Sequence, residues 1–190
     1  MIHEFSFEAL RLQGAYLIRP FCATDNRGTF IKDYSRSIFE SNDIKHDLTE
    51  VFYTISHKGV IRALHFQSNN HQPKLVRCVR GKIFDVIVDL RPESPTFKQW
   101  LGFYLSGTNM NELYVPRHFA HGYLVLEESI VSYKCSADFD AKNDSGIKFD
   151  DADINIQWPF DEIDGIGNLI ISEKDLKLQT FQEYLFSGCK

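Results

Sequence analysis

GVIRALHFQSNNHQPKLVRCVRGKIFDVIVDLR, residues 59–91, contains three apolar runs separated by polar segments. In VIRALHF, apolar positions largely alternate with polar or small ones, which predicts a β-strand. The runs KLVRCVRG and KIFDVIVDLR are rich in β-branched residues, and Gly81-Lys82 between them predicts a hairpin turn. The stretch is therefore predicted to be a strand, a polar excursion and a hairpin.

Three ionisable side chains of this stretch, Arg62, His65 and Lys74, lie within or beside the apolar runs. Regular strand alternation places Arg62 on the face opposite Ala63 and His65. Local twist or a bulge decides which face each side chain takes. We expect Arg62 and His65 to be neighbours at one end of the strand.

About ten short extended runs, separated by polar or Gly/Pro breaks, follow one another along the chain. They include AYLIRPF, LTEVFYTIS and HFAHGYLVLEESIVSYKCS. This order predicts an all-β antiparallel sandwich or barrel rather than an alternating α/β chain. The tail differs, because Ser172 is a candidate cap for a helix that begins near Glu173 and buries Leu176, Phe181 and Leu185.

Composition limits the classes of protein that fit. A chain of 190 residues, 43% hydrophobic, predicts one domain over residues 1–190. A net charge of -5 argues against a general nucleic-acid-binding protein. No apolar run reaches the roughly 18 residues of a membrane span, so we expect a cytoplasmic protein without membrane partners. The four cysteines are scattered without a CxxC pair, which favours free thiols over a metal knuckle or disulfides.

Taken singly, the polar residues have ordinary interpretations. His65, in an apolar strand, has the pattern of a histidine packed in the core. Tyr133 has the pattern of an aromatic residue in a strand, and Asp175 that of a solvated residue near the start of a helix. A metal site with His121 is the first alternative, because facing histidines in a small barrel bind iron, manganese or zinc. Such sites begin with a His-x-His pair, whereas here His65 is followed by Phe66 and Gln67. A metal is therefore disfavoured.

Several motifs taken together resemble the dTDP-4-dehydrorhamnose 3,5-epimerase family in order and spacing. They are DNRGTF, GVIRALHFQ, KLVRCVRGKIFDVIVDLRPESPTF, LYVPRHFAHGYLVL, SYKC and SEKD, and they cover nearly the whole chain. The resemblance implies an all-β, cupin-like jelly-roll barrel with a short C-terminal helical segment. It also implies a homodimer that acts without metal or organic cofactor on a nucleotide-diphosphate keto sugar.

The resemblance also assigns roles to individual residues. It makes His65 the general base, Asp175 the carboxylate paired with it, Tyr133 the acid on the opposite sugar face, and Lys74 the group near the keto oxygen. A proton on the carbon next to a ketone can be removed when a cation or hydrogen-bond donors stabilise the enolate that forms. Lys74 suits this stabilising role, and a histidine such as His65 can remove the proton. The assigned substrate-binding residues are Arg27, Phe30, Arg62, Gln67, His121 and Lys174.

The chain departs from the family pattern at several positions. Ala63 replaces the glycine of the usual RGLH motif. Glu50-Val51-Phe52 stands where the best-known members have Gln-Asp-Asn. Lys32 replaces an acidic residue, and Asp138 an aromatic one. Ala63 is a small change that we expect to leave the base in place. The resemblance puts the other replacements, at Glu50, Phe52, Lys32 and Asp138, where the nucleotide and sugar are recognised, so we expect a changed substrate. CDP is a more suitable carrier than a purine because Phe30 is kept as a stacking surface.

Two rival functions remain open from the sequence. One is a cupin ketoisomerase that moves the carbonyl with the same histidine and tyrosine. The other is a non-catalytic cupin that binds sugar nucleotides, although the joint presence of the four assigned catalytic residues counts against it. The sequence leaves open whether carbon 3, carbon 5 or both are inverted, and whether the carrier is dTDP, CDP or GDP. We expect the amino-terminal strands to be exchanged between the two subunits of a dimer.

Overall fold

A computed structural model of the chain describes residues 1–69 and 71–187, and these form twelve strands and three short helices. The strands are β1 Ile2–His3, β2 Ser6–Ala9, β3 Tyr16–Arg19, β4 Phe21–Asp25, β5 Gly28–Lys32, β6 Glu50–Ser56, β7 Ile61–Gln67, β8 Lys74–Asp89, β9 Trp100–Ser106, β10 Glu112–Val115, β11 Phe119–Cys135 and β12 Asp144–Gly146. The helices are α1 Arg36–Glu40, α2 Glu173–Leu176 and α3 Phe181–Phe186, with 3₁₀ turns at Phe160–Ile163 and Ile166–Asn168.

Two antiparallel sheets contain all the described strands. The larger has the order β12-β7-β11-β8-β10-β3-β2, with β6 paired to β11 and β9 paired to β8. The smaller is β1-β4-β5 at the amino end, and most of its side chains are exposed. The expected all-β antiparallel architecture is confirmed.

The longest ladder joins β8 to β11, from Asp89 opposite Phe119 to Lys74 opposite Cys135. The predicted hairpin at Gly81-Lys82 was wrong, because β8 continues through it without reversing. Gly81 has a φ of 80°, and a Cβ there would lie 2.2 Å from the backbone oxygen of Glu128. Register shifts in β11 lie opposite this point. The glycine therefore permits an irregularity inside one long strand.

The tail follows the prediction in part. Ser172 caps α2, since its Oγ accepts a hydrogen bond from the backbone N–H of Asp175 at 3.0 Å. The expected single helix is two helices separated by residues 177–180, and this break changes which side chains face the core. Phe181 is buried as predicted, whereas the predicted burial of Leu176 and Leu185 was wrong, since they are 57% and 36% exposed.

The described cysteines are free thiols, as expected: Cys22, Cys78 and Cys135. Cys189 lies outside the described residues. Within residues 1–69 and 71–187, no helix is long and apolar enough to cross a membrane.

Asp89, at the end of β8, organises the loop that leads to β9. Its buried carboxylate accepts hydrogen bonds from Arg91 Nε at 2.8 Å, Ser94 Oγ at 2.6 Å and Thr96 Oγ1 at 2.7 Å. Burial alone raises its pKa, but the hydrogen bonds from these residues outweigh burial and bring the pKa down to about 2. The loop is therefore tied to the barrel by an ionised carboxylate.

We predict that Asp89→Asn lowers the free energy of unfolding by about 2 kcal/mol at pH 7. Because the folded-state pKa lies below that of the unfolded chain, this stabilisation is present above about pH 4 and is lost as the pH falls towards about 2. Urea unfolding of both proteins from pH 2 to 7, at one protein concentration, measures it. Asp164→Asn, at a side chain 81% exposed, is the control and should change little. An Asp89→Asn difference independent of pH would contradict this explanation.

Candidate functional site

An open cleft of about 550 Å³ lies between β6, β7, β11 and the segment around α2. Seven of the residues assigned from the sequence line it: Arg62, His65, Lys74, His121, Tyr133, Lys174 and Asp175. Aromatic and aliphatic side chains complete the wall, including Phe52, Phe139, Ile170 and Ile171. The structure therefore brings together side chains that are up to 113 positions apart, from Arg62 to Asp175.

A bulge in β7 directs two of these side chains into the cleft. His65 is opposite His121, and Arg62 is opposite Tyr123. The two paired positions are three residues apart on β7 but only two apart on β11, so β7 contains one extra residue. The extra residue cancels the alternation that would separate Arg62 from His65. Both side chains line the cleft, as the sequence predicted for neighbours at one strand end.

Gly122 lets the two strands approach at this bulge. A Cβ on Gly122 would lie 2.4 Å from the Cβ of Ala63, closer than side chains can pack. Ala63, the departure from the usual glycine, is fully buried there. The small residue on β11 thus accommodates the extra methyl group on β7.

His65 and Asp175 form a hydrogen-bonded pair, with His65 Nε2 at 3.1 Å from Asp175 Oδ2. Burial alone raises the pKa of Asp175, but the hydrogen bond and charge of His65, with the hydrogen bonds from Ser172 and the backbone of Ala63, bring it below its ordinary value. The carboxylate is therefore ionised at neutral pH and accepts the Nε2 proton. Nδ1 of His65 then carries the lone pair, so the ring is set up as a base.

Tyr133 is 93% buried and packed between aromatic rings. Phe52 stacks on it with ring centroids 4.7 Å apart, and His121 contacts it edge-on at 5.9 Å. Burial raises the pKa of Tyr133 well above 10, with smaller contributions from Tyr123 and Asp85 in the same direction. The phenol therefore stays protonated at neutral pH and is available as a proton donor.

Asp85 is a site residue that the sequence analysis missed. It is fully buried, and His121 Nε2 lies 3.1 and 3.0 Å from its two carboxylate oxygens. Burial raises its pKa, while His121 and Lys74 oppose that increase. An acidic residue within the apolar run KIFDVIVDLR was the available signal, since a buried carboxylate requires partners.

Cations gather at the cleft. Arg62 donates to Ser56 Oγ through Nε and Nη2, both at 3.3 Å, and Lys174 pairs with Asp144. Lys74 is half-buried, and burial lowers its pKa, against the effects of Cys135, Asp144 and Asp85. These positive groups suit an anionic ligand.

Three assigned residues lie outside the cleft lining. Gln67 is buried, and its amide accepts from Asp140 N at 2.5 Å and donates to Asp138 O at 3.3 Å, so it fixes the 138–140 loop. Arg27 and Phe30 lie on the exposed β4–β5 hairpin, where Arg27 pairs with Asp25. Their predicted roles in substrate binding remain predictions.

Within the described part of the chain, no group of three or more His, Cys, Asp or Glu side chains is arranged to hold a metal ion. The two cleft histidines each meet a carboxylate through Nε2, His65 with Asp175 and His121 with Asp85. The expectation of a metal-free reaction remains a prediction.

Comparison with known proteins places these residues in context. The family model described as dTDP-4-dehydrorhamnose 3,5-epimerase matches residues 9–183. A dTDP-4-dehydrorhamnose 3,5-epimerase from Methanothermobacter thermautotrophicus is 44% identical over 181 residues, which are 95% of this chain and 96% of the relative. The resemblance inferred from the motifs is confirmed.

Solved structures agree with the sequence comparison. An epimerase from Mycobacterium tuberculosis has a TM-score of 0.91 and 33% identity, with 97% of this chain and 92% of that one covered. A dTDP-6-deoxy-D-glucose-3,5-epimerase from Legionella pneumophila, in complex with dTDP-4-keto-L-rhamnose, has a TM-score of 0.88 and 31% identity, with 94% of both chains covered. The predicted cupin-like jelly-roll barrel with short C-terminal helices is confirmed.

We predict that the amine of Lys74 reacts with a small acylating reagent at lower pH than an exposed lysine does, because burial lowers its pKa. Modification rates from pH 6 to 11, resolved by peptide mass spectrometry, measure this. Exposed Lys45 in the same sample is the internal reference. Equal pH midpoints for the two lysines would contradict the proposed electrostatics of the cleft.

Proposed function

This chain belongs to the dTDP-4-dehydrorhamnose 3,5-epimerase family, and we propose that its cleft inverts carbon 3, carbon 5 or both in a nucleotide-diphosphate-linked 4-keto-6-deoxy sugar. One observation carries the proposal: a base and an acid line the same cleft. The base is His65, hydrogen-bonded to the carboxylate of Asp175, and the acid is the protonated phenol of Tyr133. His121 adjoins both, as the strand partner of His65 and the edge contact of Tyr133.

The first step removes the proton beside the ketone. Nδ1 of His65 takes the proton, and the electron pair of the C–H bond moves into the carbonyl to give an enolate. Asp175 stabilises the imidazolium that forms, because its carboxylate already accepts the Nε2 proton. Lys74 stabilises the negative charge on the enolate oxygen, a role for which a half-buried amine is effective.

The second step returns a proton to the opposite face of the same carbon. Tyr133 donates its phenolic proton, the enolate collapses to the ketone, and the configuration is inverted. The raised pKa keeps the donor protonated until a strong carbon base is present. The resulting phenolate must regain a proton before the next inversion.

The diphosphate of the substrate suits the cations Arg62 and Lys174 at the cleft. Arg27 and Phe30, whose family roles are diphosphate and nucleotide binding, lie on an exposed hairpin outside this protomer's cleft lining. We therefore propose a homodimer in which the β4–β5 hairpin of one subunit reaches the cleft of the other. A cytoplasmic location remains a prediction.

The carrier nucleotide we propose is dTDP, in keeping with the relatives' names. CDP or an altered sugar is the second candidate, because Phe52 and Glu50, two of the departures from the family pattern, lie at or next to the wall of the cleft. Phe52 stacks on the acid Tyr133 at a position where a polar residue is usual, and Glu50 bonds the backbone N–H of Phe139 at 3.1 Å. Both departures therefore shape the cleft wall.

The test is incubation with dTDP- and CDP-4-keto-6-deoxyglucose in deuterated water, with and without a chelator. We expect deuterium at carbon 3, carbon 5 or both, a ketone that stays at carbon 4, and no effect of chelation. NMR resolves the labelled positions. Relocation of the ketone would favour the ketoisomerase alternative, and activity that is lost on chelation and restored by one divalent metal would contradict the metal-free mechanism.

We predict that His65→Ala lowers turnover by at least about a hundredfold, the usual scale for a positioned general base, with little change in nucleotide affinity. Asp175→Asn should be milder, because the imidazole remains. Steady-state kinetics and calorimetric binding of the nucleotide diphosphate measure the two effects. His57→Ala, at an exposed histidine outside the cleft, is the matched control. Near-normal turnover of His65→Ala would rule out His65 as the base.

The shared-site dimer predicts complementation between two defective chains. Arg27→Ala/Phe30→Ala lacks the hairpin groups, and His65→Ala lacks the base. When the two are co-expressed in equal amounts, half of the randomly formed dimers are mixed and one of their two clefts is intact, so about a quarter of the sites recover. Activity of the mixture at the average of its parents would show that each hairpin serves its own cleft or none.

A further inference from the structure

A line of hydroxyl groups leads from the acid Tyr133 to the surface of the cleft. Tyr123, ten residues earlier on β11, has its ring centroid 6.5 Å from that of Tyr133. After burial, Tyr123 is the main contributor to the raised pKa of Tyr133. The Tyr123 hydroxyl also lies 2.8 Å from Thr54 Oγ1 on β6, and either oxygen can donate. Thr54 in turn lines the cleft.

Because Tyr133 is buried, it needs a proton source other than bulk water, and these hydroxyl groups are placed to provide one. Tyr123 is fully buried and Tyr133 is 93% buried, so a bound sugar that covers Tyr133 leaves little direct access for water. Each inversion nevertheless converts the Tyr133 phenol to a phenolate in surroundings that strongly disfavour the charge. His121 contacts the same ring, but its Nε2 already meets Asp85. The Tyr123 hydroxyl is the group placed to supply the missing proton.

We infer that Tyr123 and Thr54 form a proton relay that recharges Tyr133 between inversions, a role that rests on the function proposed above. The Tyr133 phenolate takes the proton of the Tyr123 hydroxyl, Tyr123 takes that of Thr54, and Thr54 takes one from water at the cleft. Three O–H bonds break and three form, and the relay returns to its starting state with hydroxide left in solvent. The proton that His65 removed from the sugar neutralises this hydroxide when His65 deprotonates.

The relay acts through Tyr133, so it predicts a kinetic signature that a packing role does not. In Tyr123→Phe the first inversion uses the proton already on Tyr133, and only later inversions wait for recharging. We expect a near-normal rate when enzyme exceeds substrate. With substrate in excess, we expect a burst of one inversion per subunit and then turnover at least about tenfold slower. Because only recharging is slowed, KM falls with kcat and kcat/KM stays unchanged. Rapid-quench NMR of the dTDP 4-keto sugar measures both phases.

Two further variants sharpen the test. Thr54→Val removes the other end of the relay at nearly constant volume and should give the same burst, and the double variant should be no slower than either single one, because both interrupt one path. Tyr114→Phe, at a buried tyrosine outside the cleft lining, is the control and should behave as wild type.

Two results for Tyr123→Phe would overturn the relay. One is turnover at the wild-type rate without a burst. The other is a first inversion that is slowed as much as the later ones, because that result would assign Tyr123 a packing role. A wild-type protein that inverts neither carbon overturns the proposed function together with the relay.

Discussion

The extra residue in β7, opposite β11, is the constraint on which the cleft depends. Without it, Arg62 and His65 would lie on opposite faces of the strand, and the cation and the base would not share one cleft. Gly122 makes the bulge possible by leaving space for Ala63. The long ladder between β8 and β11 holds this arrangement at one end and carries Tyr133 at the other. A local irregularity thus sets the geometry of the whole site.

Burial raises the pKa of both Asp175 and Tyr133, and the partners of each group decide its protonation state. Asp175 is held ionised by His65 and Ser172, while Tyr133 has aromatic neighbours and stays protonated. Two groups in one cleft are therefore kept in opposite protonation states, one supporting a base and the other serving as an acid. This separation is what inversion by two different groups requires.

The alternating apolar runs predicted the strand-rich fold, because that pattern is local in the chain. Most of the cleft was predicted through the family resemblance carried by the RALH, SYKC and SEKD motifs. Prediction from the sequence failed where the outcome depends on distant contacts. Gly81 resembled a turn residue, but the ladder to β11 keeps β8 extended. Leu176 was predicted to lie on the apolar face of one continuous helix, but the chain breaks between α2 and α3 and this face is interrupted. Asp85 and Tyr123 became site residues only when their partners were known, since strand periodicity does not distinguish a packed side chain from one paired across the sheet.

The central claim is that His65 removes the proton from one face of the sugar and Tyr133 returns one to the other. The most direct measurement is solvent deuterium incorporation, with configuration, for wild type and Tyr133→Phe on the dTDP 4-keto sugar. The account predicts deuterated, inverted product from wild type, and from Tyr133→Phe exchange of deuterium with the original configuration retained, because His65 returns the label to the face it came from. Inversion by Tyr133→Phe at the wild-type rate would contradict it.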